Sequence, residues 1–218
     1  MNSFLNLTQV VCVAIALSLF GCQADEGHAK ADSAATAMEG MGGVVTTAKD
    51  STLAVGKSLN AVVASAKTDP VTAFTQLKSD IASMKSAREA LYGRDEAFKA
   101  KGATYLAEWE KSNATITDPD LKKIGDERRV TLQEVLASVD QPMSEVRTSL
   151  DPFIASCDDL QKFLANDLTP ASIGAVEGKA KSGAKQASKI GGMLDDLEKA
   201  LSKAAPKFKV AKPPTPAK

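Results

Sequence analysis

Few residues in this 218-residue chain are of types suited to chemistry. His28 is the single histidine, and without a second one beside it we interpret it as a solvated residue instead of a metal ligand or general base. Glu108 and Glu110 flank Trp109, but on a helix two such residues point about 200° apart and cannot share a substrate. The sequence therefore predicts no catalytic residue, no metal site and no cofactor, and we expect a protein that is not an enzyme.

Three cysteines are the remaining reactive groups. Cys12 lies within the apolar run from Val10 to Phe20, which has the length of the hydrophobic region of a secretory signal. The run is well short of the ~20 residues that a membrane-spanning helix needs. We therefore expect residues 1–21 to be a signal peptide, although its first part carries no Lys or Arg.

The end of the apolar run, LFGC at residues 19–22, resembles the lipobox of bacterial lipoproteins. In that motif a small residue precedes a cysteine that is lipidated on its thiol and becomes the new N-terminus. Phe20 is bulkier than the usual residue at its position. The resemblance implies lipidation of Cys22 and a membrane partner, since two or more acyl chains hold a protein stably on a bilayer. Gln23, which follows the cysteine, implies the outer membrane, facing the periplasm, in a host with two membranes.

An ordinary signal peptide is the alternative, cut near Gly21 or Ala24 to release a soluble exported protein. A thiol left on Cys22 could then form a disulfide with Cys157 in an oxidising compartment. If Cys22 carries lipid, Cys157 has no disulfide partner. Cys157 lies on an apolar helical stripe, so we interpret it as a small core residue and not as a reactive thiol.

The overall composition favours a helical protein that does not bind nucleic acid. Lys plus Arg equals Asp plus Glu at 27 each, so the chain has no overall basic character to hold nucleic acid. Aromatic residues make up 5% of the chain, which is typical of helices that pack through small and aliphatic side chains. We expect an all-α fold: an elongated antiparallel helical bundle, or coiled coil, of three long helices with a shorter N-terminal amphipathic helix.

Changes of pattern divide the chain into four segments. After the signal peptide, residues 22–43 lack a sustained apolar stripe and are expected to form a flexible tether. Residues 44–204 carry apolar side chains at alternating steps of three and four and form the coiled-coil domain. Residues 205–218 are rich in Pro and Lys and are expected to be disordered. The lysines that could contact an anionic surface, such as phospholipid headgroups, are Lys207, Lys209, Lys212 and Lys218.

Three turns that end in proline separate the long helices. Asp69-Pro70, Asp118-Pro119 and Thr169-Pro170 each place a capping side chain before a proline at the first helical position. The helix between the second and third turns contains Pro142 and Pro152. We expect kinks within one long helix there, not separate helices.

The apolar stripes of the three long helices predict the buried residues. On the first of these helices the stripe is Phe74, Leu77, Ile81, Met84, Arg88, Leu91, Asp95, Phe98, Gly102, Tyr105, Trp109, Ser112 and Ile116. On the next it is Leu121, Ile124, Arg128, Leu132, Val135, Val139, Met143, Val146, Leu150, Phe153, Cys157, Leu160 and Leu164. On the last it is Ile173, Val176, Ala180, Gly183, Ala187, Ile190, Leu194, Leu197, Leu201 and Ala204.

Two features of these stripes carry further predictions. Arg88 and Asp95 are charged residues at buried positions, which are costly unless paired and can fix the register of two helices when paired. The small residues from Ala180 to Ala187 predict a close approach by a neighbouring helix. The charged run Asp126 to Arg129 is interpreted as solvated or as part of ion pairs between helices.

Three stretches, YLAEWE at 105–110, DERR at 126–129 and FLANDLTP at 163–170, are similar to an uncharacterised bacterial family known only as a domain of unknown function. The likeness covers roughly Pro70 to Ala204. It implies an exported, long-helix protein and transfers no activity, because none is assigned to that family.

These patterns together predict a membrane-anchored envelope lipoprotein with a structural or protein-interaction role and no catalysis. Its expected partners are membrane lipid, through Cys22, and a protein or a second copy of the chain, through the heptad stripes. The alternative is a soluble exported helical module that binds a partner or ligand in a gap lined by small residues between helices.

Overall fold

The computed structural model describes the backbone from Gln23 to Phe208 and the side chains from residue 29 onward. Over this range the chain forms four α-helices and no strand. They are α1 (Gln23–Ala64), α2 (Pro70–Asn113), α3 (Pro119–Asn166) and α4 (Pro170–Phe208). The predicted all-α helical bundle is confirmed, but it has four long helices instead of three long helices and a shorter one.

The predicted caps begin the helices that follow the three turns. The Asp69 carboxylate accepts a hydrogen bond from the amide of Thr72 at 3.1 Å, and the Asp118 carboxylate accepts two first-turn amides at 2.9 and 3.0 Å. Before α4, the hydroxyl of Thr169 accepts from the amide of Ser172 at 3.3 Å. These bonds satisfy amides that the first helical turn leaves unpaired, so the turns are encoded locally.

The helices form an antiparallel bundle in which each packs against two others. α1 and α3 both contact α2 and α4, so α1 and α3 are diagonal to each other. The Ser58 hydroxyl donates to Asp80, and Lys30 Nζ lies 3.4 Å from Glu108 Oε1, which shows that α1 and α2 run in opposite directions. The core runs along the bundle axis. Its largest fully buried side chains are Phe98, Phe153, Phe208, Met38, Met41, Leu59, Leu77, Ile81, Met84, Leu91, Leu132 and Met143.

The prediction of a flexible tether over residues 22–43 is wrong from Gln23 onward, because this segment is the first half of α1. Alanine has the highest helix propensity, and its small side chain lets neighbouring helices approach closely. A segment with few large apolar residues can therefore bury one face. The side chains buried there are Ala31, Ala34, Ala35, Ala37, Met38 and Met41.

The disordered tail expected from residue 205 is also wrong at its start. α4 continues through Pro206 to Phe208. The ring of Phe208 is buried, and its centroid lies 6.1 Å from that of Tyr105 in α2. Pro206 removes one backbone hydrogen bond, and burial of the Phe208 ring favours keeping this last turn helical.

The predicted stripes of α2 and α4 are largely confirmed. The last two positions predicted for α2, Ser112 and Ile116, are exposed, because the helix ends at Asn113 and that residue is buried in their place. α3 is one helix of 48 residues that contains Pro142 and Pro152, as expected.

The start of the α3 stripe is the clearest departure from the prediction. Leu121 and Ile124 were expected to be buried, but they are 57% and 61% exposed. α4 ends at the level of Arg128, whose guanidinium donates to the main-chain oxygen of Lys207. Within the range Gln23–Phe208, the first two turns of α3 therefore extend past the end of α4, and no α4 residue covers them.

The predicted close approach along the small residues of α4 is confirmed. A Cβ added at Gly56 in α1 would lie 2.9 Å from the Cβ of Ala187, and one added at Gly183 would lie 2.9 Å from Leu59 Cδ1. Only glycine fits at these two positions without a shift of its neighbours. The gap between α1 and α4 is thus filled by packed side chains.

Candidate functional site

The residues considered for catalysis are not brought together. Among residues 29–208 there is no group of three or more His, Cys, Asp or Glu side chains that could hold a metal ion. Glu108 pairs with Lys30, whereas Glu110 is exposed. The side chain of His28 lies outside the described residues. Glu108 and Glu110 therefore do not converge on one point.

Cys157 is the cysteine whose surroundings the structure describes. It is unpaired and buried in α3, on the predicted stripe. Burial raises the pKa of its thiol to about 12. Because the thiolate is the nucleophilic form, the buried thiol is unreactive at neutral pH.

Six charged side chains and one tyrosine between α2 and α3 form what we call the polar layer: Arg88, Tyr92, Asp95, Lys99, Asp140, Arg147 and Asp151. Asp95 is fully buried, and its Oδ2 accepts a hydrogen bond from Arg147 at 3.0 Å and lies 3.2 Å from Lys99 Nζ. Asp95 Oδ1 is buried without a hydrogen-bond partner. Arg88, the other charged residue of the stripe, donates to Asp151 at 2.9 Å. Both charged stripe residues are paired, but only Asp95 is buried as predicted, since the side chain of Arg88 is 36% exposed.

Tyr92 contacts both arginines of the polar layer and Asp151. The guanidinium carbons of Arg88 and Arg147 lie 4.4 and 3.9 Å from its ring centroid, and its hydroxyl donates to Asp151 at 2.9 Å. Burial, and then the hydrogen bond to Asp151, raise the pKa of Tyr92 to about 12. Sequence reasoning missed Tyr92 because it follows the stripe residue Leu91. The spacing of four residues from Arg88 to Tyr92 was the available signal.

The turn between α2 and α3 carries a second notable group, which we call the tip: Ile116, Leu121, Lys122, Lys123 and Ile124. Its three apolar side chains are 36%, 57% and 61% exposed in chain order. Both lysines are exposed as well. The tip thus combines three exposed apolar side chains and two ammonium groups, and the exposed carboxylates of Asp118 and Asp120 lie in the same turn.

Asn113 and Gly125 hold the tip in place. The Asn113 amide donates to the main-chain oxygen of Lys122 at 3.2 Å and to Asp126 Oδ1 at 2.9 Å. A Cβ at Gly125 would lie 2.7 Å from Asn113 Cγ, so only glycine fits beside this amide. The indole of the half-buried Trp109 donates to the main-chain oxygen of Gly125 at 3.0 Å. The sequence did not predict the contact between Asn113 and Gly125, because a contact between two helices leaves no local signal at either residue.

Cys22, the predicted lipidation residue, lies outside the described residues, and α1 begins at the next residue, Gln23. The ion pair between Lys30 and Glu108 places α1 beside α2. Gln23 lies two turns before Lys30, so it is level with the end of α2 near Asn113. The start of α1 and the tip are therefore at the same end of the bundle.

Of the four lysines predicted to contact an anionic surface, the structure describes one. Lys207 is exposed in the last turn of α4, close to Arg128 at the start of α3. The other three, Lys209, Lys212 and Lys218, lie outside the described residues. The described member of this set is thus near the same end of the bundle as the tip.

None of the helices between Gln23 and Phe208 combines the length and the apolar character needed to cross a membrane. No family model, no curated protein and no solved structure matches this chain.

Proposed function

We propose that this protein is an envelope lipoprotein, anchored to a membrane by acyl chains on Cys22, with a structural or protein-interaction role and no catalysis. In a host with two membranes the proposed location is the outer membrane, facing the periplasm. The observation that supports this proposal most is the junction at Gln23. A lipobox-like segment at residues 19–22 is followed at once by α1, a helix of 42 residues that packs into the bundle.

A structural role is supported by how the bundle distributes its side chains. The heptad stripes are buried inside one chain, from Leu77 in α2 to Leu201 in α4. A partner protein or a second copy would therefore bind at the outer faces or at an end of the bundle, because the stripes already have partners. Within the polar layer, the buried Asp95 is paired with Arg147 across α2 and α3, and this pairing favours a single register of the helices.

The alternative, a soluble exported binding module, proposes a ligand in the gap lined by small residues. Gly56 and Ala187 are in van der Waals contact in that region, and Leu59 packs on Gly183. A ligand would have to separate α1 from α4 to enter. Such a module would instead have to bind its partner on an exposed surface.

Metabolic labelling with an alkyne-bearing fatty acid tests the anchor. We expect the wild-type protein to be labelled and the Cys22→Ala variant to carry no label. Cys12→Ala is the matched control, because the proposed cleavage removes Cys12, and this variant should be labelled like the wild type. Label that persists in Cys22→Ala, or is missing from the wild type, contradicts the proposal. A mature mass that begins at Cys22 and includes the lipid is the second expected result.

A further inference from the structure

We infer that the tip contacts lipid. It would hold its end of the bundle against the membrane in which the acyl chains of Cys22 are inserted. The inference rests on the proposed lipidation and adds an orientation to it. Ile116, Leu121 and Ile124 would enter the boundary between headgroups and acyl chains, and Lys122 and Lys123 would remain with the lipid phosphates.

The connection between the proposed anchor and the bundle is short. A flexible tether of some twenty residues would let the bundle take any orientation. Instead α1 is helical from Gln23, the residue next to Cys22, and each helical residue advances the chain by only about 1.5 Å. Acyl chains on Cys22 would therefore hold the end of the bundle that carries the tip close to the bilayer surface.

The exposed apolar residues lie close to the end of α3. Leu121 and Ile124 are two and five residues after Pro119, the first residue of α3. At about 1.5 Å per residue they are roughly 3 and 8 Å from that end of α3. An amphipathic helix that lies in the interface buries its apolar face about 5–10 Å deep, and a tip that enters end-on to that depth would reach both side chains together with the turn before them.

The charged side chains around these apolar residues are of both signs. Lys122 and Lys123 lie between Leu121 and Ile124 in the chain and are exposed, and the carboxylates of Asp118 and Asp120 are exposed in the same turn. Long basic side chains beside apolar residues can extend toward phosphate while the apolar groups enter the bilayer. Lys207, at the end of α4, adds a third exposed ammonium group to this end of the bundle.

The packing of the bundle does not explain why the tip is apolar. α4 stops at the level of Arg128, so the described helices leave Leu121 and Ile124 uncovered, and both are more than half exposed. Val71 and Phe163 are exposed apolar residues at the opposite end, 65% and 44%. That end is far from Cys22, so Phe163 provides a control on the same helix.

A polarity-sensitive fluorophore attached to a new cysteine tests the contact. Leu121→Cys and Phe163→Cys are each made in the full chain, purified as lipoproteins and labelled with an NBD thiol reagent. The native Cys157 thiol is buried and lipidation blocks Cys22, so the new cysteine is the site that reacts. The proteins are reconstituted into vesicles of phosphatidylethanolamine and phosphatidylglycerol.

We expect the probe at 121 to brighten several-fold and shift to the blue on reconstitution, and brominated lipids to quench it. The probe at 163 should keep the spectrum of an aqueous fluorophore. If the protein floats with the vesicles but both probes remain aqueous, the lipid contact of the tip is refuted and the anchor is kept. If the protein does not float and carries no lipid, the anchor fails and the tip contact fails with it.

The other occupants of this surface are tested without vesicles. In the unlipidated background Cys12→Ala with Cys22→Ala, which leaves no second accessible thiol, the probe at 121 should report an aqueous environment. A shielded probe at all protein concentrations would mean that residues 209–218 cover the tip, and shielding that disappears on dilution would mean that a second copy does. Either result overturns the lipid contact.

Discussion

The guanidinium of Arg147 in α3 donates a hydrogen bond of 3.0 Å to the fully buried carboxylate of Asp95 in α2. This pair lies within an otherwise apolar stripe between Leu91 and Phe98. A slip of α2 along α3 would leave Asp95 against apolar side chains, at a cost of several kcal/mol for an unpaired buried charge. The pair therefore favours one register, and the stability of variants can measure its contribution.

Replacing Arg147 by methionine should destabilise the bundle. Breaking one partner of a buried pair costs about 3–5 kcal/mol, and we expect roughly 2–3 here because Lys99 still lies near Asp95. Urea denaturation followed by circular dichroism at 222 nm gives the free energy of unfolding. The matched control is the double variant Arg147→Met with Asp95→Leu, which should recover most of the loss. A double variant as unstable as the single one contradicts the assigned role of the pair.

Gly125→Ala should destabilise the turn between α2 and α3. The new methyl group would overlap the Asn113 amide, whose Cγ is 2.7 Å from the Cβ position, and overpacking of this kind costs about 1–3 kcal/mol. Gly178→Ala is the control, because its Cβ would meet no atom within 4 Å. Replacing this helical glycine by alanine should raise the free energy of unfolding by about 0.5–1 kcal/mol. Thermal unfolding distinguishes the two, and equal shifts of Tm would be inconsistent with the Asn113 contact.

Two leucines of α3 should respond differently to truncation. Leu132 is fully buried, so Leu132→Ala should lower the free energy of unfolding by about 2–5 kcal/mol. Leu121 is 57% exposed, and Leu121→Ala should change it by no more than about 0.5 kcal/mol. Urea denaturation of both variants checks this. A large loss at Leu121 would show that the residue is needed for folding, in conflict with a tip that remains available for lipid.

The Cys157 thiol should be inert in the native protein and reactive when unfolded. Its pKa is raised to about 12 by burial, whereas an unfolded cysteine titrates near 8.5. The folded state therefore retains its proton at higher pH, so this contribution to stability is complete below about pH 8.5 and is lost as the pH rises toward 12. The unlipidated double variant Cys12→Ala with Cys22→Ala, whose one remaining thiol is Cys157, provides the measurement when it is treated with a disulfide reagent at pH 8 with and without urea. Rapid reaction in buffer alone would mean that the thiol is accessible.

Much of the helical fold could be predicted from the sequence because its signals are local. The caps at Asp69 and Asp118 act on amides within three residues, and the stripes of α2 and α4 repeat every three or four residues. The pairing of Asp95 followed from its charge at a buried position, although its partner Arg147 lies 52 residues away. Local patterns therefore identified the helices and the need for a partner, but not the partner.

What the sequence could not reveal depends on contacts between helices. Residues 22–43 lack a strong stripe, and only the packing of alanines such as Ala34 against neighbouring helices shows that they are part of the bundle. Leu121 and Ile124 have the spacing of buried residues, and their exposure depends on where α4 ends. The fit of Gly125 against Asn113 likewise needs both helices in place. For the tip, the sequence showed apolar residues at Leu121 and Ile124 but not their exposure.

The direct junction between Cys22 and α1 has a consequence for distance. With about 1.5 Å per residue, the 44 residues of α2 extend about 66 Å from the tip to the opposite turns. Under the proposed anchoring, the molecule acts as a spacer. The turns at Ser65–Asp69 and Asp167–Thr169 would remain at a constant distance from the bilayer while the anchor diffuses within it. Helix length, rather than the span of a loose linker, would then decide which neighbouring layer of the envelope those turns can touch.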